Sequence, residues 1–313
     1  VRALALDLIV AVALVACHGG EGQAASGVAS ASASASASAS ASASASRPYG
    51  LHIPPRSGAA PRPLVVFLHG YGSSGAAHVR ALDLEAFADA HGFVLAYPDG
   101  TADSHGRRFW NATDACCDFD GTHVDDVGYI RWLLDDVAAR TSVDPGRVYV
   151  FGHSNGGFFA HRLACDLAPR IAAAVSLAGD AWRDPARCRP SEPVSVLEIH
   201  GDADDVIRIG GGRVFDLPVP PYPSARDTVA EWAVKDRCTG ALAPSGLRLD
   251  FDRLLPGAET TELATRGCPP GIGVELWTVA GGSHVPHPSP SGLEAIWAWM
   301  AAHPKHRRPT VTR

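Results

Sequence analysis

Lysine is nearly missing from this chain: Lys235 and Lys305 are the only two in 313 residues, and Met300 is the only methionine. Arginine carries the rest of the positive charge. With 27 basic against 33 acidic side chains the formal net charge is −6. That leaves no basic footprint for a nucleic acid, and nucleic-acid binding drops out as a function class. A Cys-x-x-Cys pair is also absent, which removes the usual spacing of a structural zinc site. There is no internal repeat, so repeat architectures are excluded. The N-terminal apolar run, Ala3 to Ala16, is broken by Asp7 and is too short to cross a ~30 Å hydrocarbon core as a helix.

What is present at that end reads as an export signal. Arg2, a short apolar stretch and small residues lead to Leu14-Val15-Ala16-Cys17, which resembles the lipobox of bacterial lipoproteins. Residues 1–17 are therefore expected to be a signal peptide with Cys17 as the lipidated residue. Residues 18–46 are Gly-rich and then alternate Ala and Ser without a break from Ala29 to Ser46. Neither side chain can bury a face, so this segment is expected to be a flexible linker. A folded domain is expected over 47–303, followed by a tail over 304–313.

The cysteines agree with an oxidising compartment. Apart from Cys17 there are Cys116, Cys117, Cys165, Cys188, Cys238 and Cys268, an even set suited to disulfides. Adjacent Cys116 and Cys117 are not expected to bridge each other.

Across 47–303 short β-branched runs alternate with amphipathic stretches. Strands are expected at 64–68, 93–97, 147–151, 171–177, 194–199 and 274–279. Helices are expected at 77–90, 124–140, 156–167, 225–237 and 293–302, with a long polar loop over 99–123. That alternation predicts one α/β domain with a mostly parallel, doubly wound sheet.

Gly152-His153-Ser154-Asn155-Gly156 follows the strand Val148–Phe151 directly and opens a helix. The bare G-x-S-x-G match is weak, but this context is that of a nucleophile elbow, a tight turn that lifts a serine hydroxyl above the sheet. A serine needs a base, and His284 stands on the loop after the last strand, with His287 as the alternative. The remaining histidines read as surface or packing residues. An acid must orient the base, and Asp202, Asp204 and Asp205 follow the strand ending at Ile199. The order Ser…Asp…His is that of the α/β-hydrolase fold. Two backbone N–H groups are needed for an oxyanion, and Asn155 and Tyr71 are the candidates.

Several segments carry a more specific resemblance. They are Phe67-Leu-His-Gly70, Tyr97-Pro-Asp-Gly100, Phe109-Trp-Asn-Ala-Thr-Asp-Ala-Cys-Cys117, Val124-Asp-Asp-Val-Gly-Tyr129, Gly152-His-Ser-Asn-Gly-Gly157, Ile199-His-Gly-Asp-Ala-Asp204 and Gly281-Gly-Ser-His284. In this order they resemble the polyhydroxybutyrate depolymerase and feruloyl esterase family over essentially the whole of 47–303. The resemblance implies an exported serine esterase that uses no metal or organic cofactor. Its acid would be Asp204, from the pattern His-Gly-x-x-Asp, and its base His284. It also implies that Cys238 pairs with Cys268, and that Cys116 and Cys117 reach Cys165 and Cys188 in an unassigned order. The implied substrate partner is a polyester or an ester-bearing polysaccharide, and contact with a membrane is expected only through a lipid on Cys17. One departure is Val285-Pro286-His287, where the family often has Trp-Pro after the histidine.

Other features have plainer readings. Trp110 and Trp182 fall on loops after strands and either line an acyl pocket or are buried core aromatics. Asp125 and Asp126 are expected to favour the N-terminus of their helix through its dipole. Asn111-Ala-Thr113 matches a glycosylation acceptor that a bacterial exported protein would leave unused. Rival readings of the whole are a feruloyl or acetyl-xylan type esterase, a serine peptidase, and a non-catalytic polymer-binding lipoprotein.

Overall fold

A computed structural model describes residues 47–55 and 60–305. The expected signal, Cys17, the linker and most of the C-terminal tail lie outside these residues.

Alternation along the central strands sets the layers. In β2 (Arg62–Leu68), Leu64, Val66 and Leu68 join one buried cluster while Val65 and Phe67 join another. In β6 (Val143–His153) Val148 and Val150 divide from Tyr149 and Phe151 in the same way. A strand whose odd and even residues are both apolar must be covered on both faces. One face is covered by α3 (Asp126–Arg140), α4 (Asn155–Asp166) and α5 (Ala225–Lys235). The other carries α1 (Gly75–Ala81), α2 (Leu84–His91) and α6 (Pro290–Ala302).

The remaining strands are β1 (Tyr49–His52), β3 (Val94–Pro98), β4 (Thr101–Ala102), β5 (Arg108–Phe109), β7 (Ala173–Leu177), β8 (Ser195–Gly201), β9 (Leu242–Leu249), β10 (Thr260–Thr265) and β11 (Val274–Val279). Nine strands form one sheet in the order β1-β3-β2-β6-β7-β8-β11-β10-β9. From β3 to β11 every pairing is parallel; β1, β10 and β9 add antiparallel edges. The expected doubly wound parallel sheet in one domain is what the chain forms. Because the six central strands run the same way, the loops after β2, β6, β8 and β11 leave from one edge, where open α/β sheets bind ligands.

Three expectations need correction. The helix expected over 77–90 is two helices, α1 and α2, separated by Asp83 in the left-handed region at φ 49°. The apolar spacing runs through the break, so periodicity alone misses it. The loop 99–123 contains the β4–β5 hairpin. The cysteine pairing also differs: Cys165 bonds to Cys188 across a Cα–Cα distance of 5.6 Å, and Cys116 bonds to Cys117. The peptide between Cys116 and Cys117 is cis, bringing their Cα atoms to 3.1 Å, where a trans peptide would hold them at about 3.8 Å. Cys238 bonds to Cys268, as the resemblance implies.

The two acids before α3 do different work. Asp125 caps the helix, accepting from the Gly128 N–H at 2.8 Å. Asp126 is buried and accepts from the Arg47 guanidinium at 2.6 Å and the Asn111 N–H at 2.7 Å. Arg47 in turn lies over the Tyr129 ring, so Asp126 ties the first described residue to the 99–123 loop. Asp126→Ala is expected to lower unfolding free energy by about 3 kcal/mol, because it strands a partly buried guanidinium. Asp125→Ala is expected to cost about 1 kcal/mol, the value of a cap. Urea denaturation of both variants checks this; equal losses would reduce Asp126 to a second helix-end charge.

Candidate active site

Ser154 is the residue between β6 and α4, and it sits at φ 55° and ψ −120°. Such a backbone is costly for a residue with a Cβ, and it holds only because the surroundings leave no other path. The neighbouring glycines show why. A Cβ on Gly152 would strike the Gly156 backbone, and one on Gly156 would strike the Leu68 carbonyl. Strand, turn and helix are pressed together as closely as backbone allows. The Ser154 N–H is anchored on the Leu177 carbonyl at 2.8 Å.

The chain brings Ser154, His284 and Asp204 into contact. His284 Nε2 lies 2.9 Å from Ser154 Oγ, and His284 Nδ1 lies 2.8 Å from Asp204 Oδ2. Asp204 Oδ1 accepts from the Val206 and Ile207 N–H groups at 2.9 and 2.8 Å. Burial raises the Asp204 pKa, but the hydrogen bond and charge of His284 and these two amides outweigh it, leaving the group below the usual range. Its carboxylate stays ionised.

The other candidates are placed elsewhere. Asp202 is exposed and accepts from the Gly281 N–H at 2.7 Å, stapling the loop after β8 to the loop after β11. Asp205 is exposed. His287 is held by its N–H on Asp252, and its ring has no contact with Ser154 among the described residues.

The two expected amide donors flank the serine. Asn155 is the first residue of α4, where N–H groups have no partner inside the helix. Tyr71 follows Gly70, whose position for a Cβ lies 3.4 Å from Ser154 Cβ. Among the described residues no backbone acceptor takes up the Tyr71 N–H.

Trp110 does not line a pocket. It is fully buried, stacked on Phe159 at 5.1 Å, and its Nε1–H donates to the His69 carbonyl at 3.0 Å. The Asn155 side chain grips its backbone from both sides, accepting from the Trp110 N–H at 2.7 Å and donating to its carbonyl at 3.0 Å. Trp182 is nearly buried and forms part of the wall of a polar cavity of about 620 Å³ beside Asn111, Asp114 and Arg187. A second, mostly apolar cavity of about 830 Å³ lies behind His153 and Val285, with Phe67, Phe151 and Leu177 in its wall.

Histidines read as packing residues turn out to build the site. His153 Nε2–H donates to the His284 carbonyl at 2.8 Å, and His153 Nδ1 accepts from His78 at 3.3 Å. Burial, then the nearby His284, pushes the His153 pKa down to about 3, so it stays neutral. His69 Nε2 accepts from the Gly100 N–H at 2.9 Å while Nδ1–H donates to the Gly70 carbonyl at 2.8 Å, bracing the turn that carries Tyr71. An aromatic cluster was also missed: the Tyr71 ring meets Phe119 at 5.4 Å and the half-exposed Phe215 at 6.3 Å. These rings come from three separate segments, so no local pattern announces them.

The His153 environment gives a pH test. Its pKa is about 3 in the fold against 6.5 for the free side chain, so the unfolded chain binds the extra proton between these values. Its contribution is complete above pH 6.5 and is lost as pH falls towards 3. The stability advantage of wild type over His153→Gln is therefore expected to shrink by roughly 2–3 kcal/mol between pH 7 and pH 4. Urea melts across that range measure it; a constant difference would mean that His153 is solvated.

Residues 47–207 match the family model described as esterase PHB depolymerase. NocK of Nocardia uniformis subsp. tsuyamanensis, provisionally named an esterase, is 35% identical over 249 residues, covering 76% of this chain and 70% of NocK. Feruloyl esterase B of Piromyces equi is 30% identical over 62% of this chain, but the match spans only 34% of that protein. Poly(3-hydroxyalkanoate) depolymerase C of Paucimonas lemoignei is 30% identical over 39% of this chain and 28% of its own length. The structure of acetyl xylan esterase from Aspergillus awamori superposes with a TM-score of 0.58 at 14% identity, over 82% of this chain and 94% of that one. This last likeness places the chain in the same fold, that of the α/β-hydrolases.

Proposed function

Since the chain belongs to the esterase PHB depolymerase family of carboxylic ester hydrolases, we propose that Ser154, His284 and Asp204 are its catalytic triad. The supporting observation is the continuous contact from Asp204 through His284 to the Ser154 hydroxyl, at 2.8 and 2.9 Å. Asp204 accepts a hydrogen bond from the His284 Nδ1–H, which leaves Nε2 bare and facing the hydroxyl. Ser154 attacks the ester carbonyl as His284 takes its proton. The Asn155 and Tyr71 amides receive the oxyanion, and Asp204 stabilises the imidazolium. His284 then gives the proton to the departing alcohol. A water, with His284 again as base, attacks the acyl-enzyme; His284 returns that proton to the Ser154 oxygen as the acid is released.

The proposed substrate is a 3-hydroxybutyrate-type polyester or its oligomers, in keeping with the family model and the match to a polyhydroxyalkanoate depolymerase. A feruloyl or acetyl-xylan ester is the second reading, favoured by the longer match to a feruloyl esterase. Both readings take the same triad, and the Tyr71–Phe119–Phe215 cluster, half-exposed at Phe215, offers either an apolar surface. The proposal also sets the enzyme outside the cytoplasm, tethered by a lipid on Cys17. It draws on the lipobox-like Leu14–Cys17 and on the disulfides, which suit an oxidising compartment. Among the described residues no helix is long and apolar enough to cross a membrane.

Ser154→Ala is expected to lower kcat by about 10⁴-fold or more while leaving the melting temperature within a few degrees. Product release should be followed for wild type and variant on 3-hydroxybutyrate polyester and on methyl ferulate. Hydroxybutyrate from wild type alone supports the first substrate, and ferulate alone moves the enzyme to the second. Retained turnover in the variant would overturn the triad. Silence of wild type on both, and on a nitrophenyl ester, would turn the reading towards a polymer-binding lipoprotein.

A further inference from the structure

Beneath Asp204 lies a chain of buried polar groups that ester hydrolysis, as described above, does not use. His200 and Glu198 on β8, and His161 on α4, are all fully buried. His200 Nδ1 is 3.1 Å from Glu198 Oε1, and His161 Nε2 is 3.0 Å from Glu198 Oε2. The far end is closed by α5, where Trp232 Nε1–H meets His161 Nδ1 at 3.0 Å. The near end is His200 Nε2, 2.7 Å from the Ile207 carbonyl and 3.6 Å from Asp204 Oδ2.

Donor and acceptor rules fix most of the protons. An indole N–H can only donate, so His161 Nδ1 accepts and its one proton sits on Nε2, facing Glu198. His161 is thus neutral. His200 has acceptors on both sides, a carbonyl at Nε2 and a carboxylate at Nδ1, and it satisfies both only with two protons. Two other groups face this cluster. Asp180, after β7, accepts from Thr228 of α5 at 2.9 Å, and burial followed by the Glu198 charge pushes its pKa up so that it keeps its proton. The Tyr222 hydroxyl accepts from the Arg208 N–H at 2.8 Å, and its pKa is raised by burial, so it too is neutral. The charges that remain are Glu198 and Asp204, with His200 between them.

We propose that His200, held as an imidazolium by Glu198, is a positioning residue of the triad: it clamps the Asp204 turn through the Ile207 carbonyl and keeps the Asp204 carboxylate ionised under His284. The same turn is gripped twice, since the Ile207 N–H donates to Asp204 and the Ile207 carbonyl accepts from His200. Burial by itself would strip the second proton from His200. The hydrogen bond and charge of Glu198, with the Ile207 carbonyl on the other nitrogen, oppose that and hold the His200 pKa above its ordinary value. At rest Glu198, His200 and Asp204 together carry one net negative charge. When His284 takes the serine proton, the row His284, Asp204, His200, Glu198 alternates in sign and sums to zero.

The inference rests on the triad reading, and its tests separate the two. In wild type at pH 7.5, ¹⁵N correlation spectra of the histidine rings are expected to show both His200 nitrogens protonated and one bare nitrogen on His161. A bare nitrogen on His200 would overturn the proposal while leaving Ser154 and His284 untouched. The second test is Glu198→Gln. Its amide oxygen accepts from His161 and its N–H donates to a neutral His200, so every hydrogen bond survives while both charges vanish. Loss of the cation next to Asp204 makes protonation of His284 easier. The acid limb of the kcat/KM profile is therefore expected to move up by about half a pH unit, with the melting temperature near that of wild type. A folded variant with an unmoved limb makes the network purely structural and sinks the idea. Loss of turnover in Ser154→Ala is independent of either outcome.

Discussion

Everything in this enzyme depends on one tight contact, the turn at Ser154. The serine is held in a backbone conformation that glycine would adopt freely and serine resists. It stays there because β6, α4 and the end of β2 are packed backbone to backbone at Gly152 and Gly156. Nothing larger than a hydrogen fits at those two positions. The sheet beneath is therefore more than a support. Its parallel order sets the crossing of strand and helix that holds the serine in its turn, and delivers the loops bearing Asp204 and His284 to the same edge.

Much of the frame was legible because its residues report their surroundings. Leu64–Leu68 and Val148–Phe151 are apolar on both faces, which only a doubly covered strand explains. The edges were not legible. β9 includes Pro244, Ser245 and Gly246 and lies mostly exposed, so it shows no alternation against a core. β1 has only four residues, all half-buried. Edge strands are specified by their neighbours' unpaired backbone more than by their own side chains. Asp83 gives a similar lesson: a left-handed residue can split a helix while the apolar rhythm continues across it.

Of the three residues that the fold brings into contact, the strand–turn–helix motif points to Ser154, and the family patterns single out Asp204 and His284 from their neighbours. What sequence could not separate was the work of the histidines. His69, His153 and His200 differ little in local sequence, each standing at a strand end near glycine. In the fold one braces the turn that carries Tyr71, one holds the His284 carbonyl, and one lies beneath Asp204. Their roles depend on partners between 31 and 131 positions away in two cases and in the next turn in the third. Trp110 shows the opposite case. Its place after a strand left a pocket wall and a core position open, and the fold seals its indole inside against Phe159 and the His69 carbonyl.

That backbone grip has a consequence for how the loop between residues 100 and 110 can vary. The Asn155 side chain holds both polar groups of the Trp110 peptide, one residue beyond the β4–β5 hairpin. Upstream, Gly100 is moored to His69. The stretch between these two moorings, which includes Asp103 and Arg107 around the Tyr71 ring, is a replaceable cassette with fixed ends. Its length and side chains can change without moving the turn at Ser154, because both ends are held from the scaffold side. Asn155 and His69 thus isolate the geometry at Ser154 from whatever stands between residues 101 and 109.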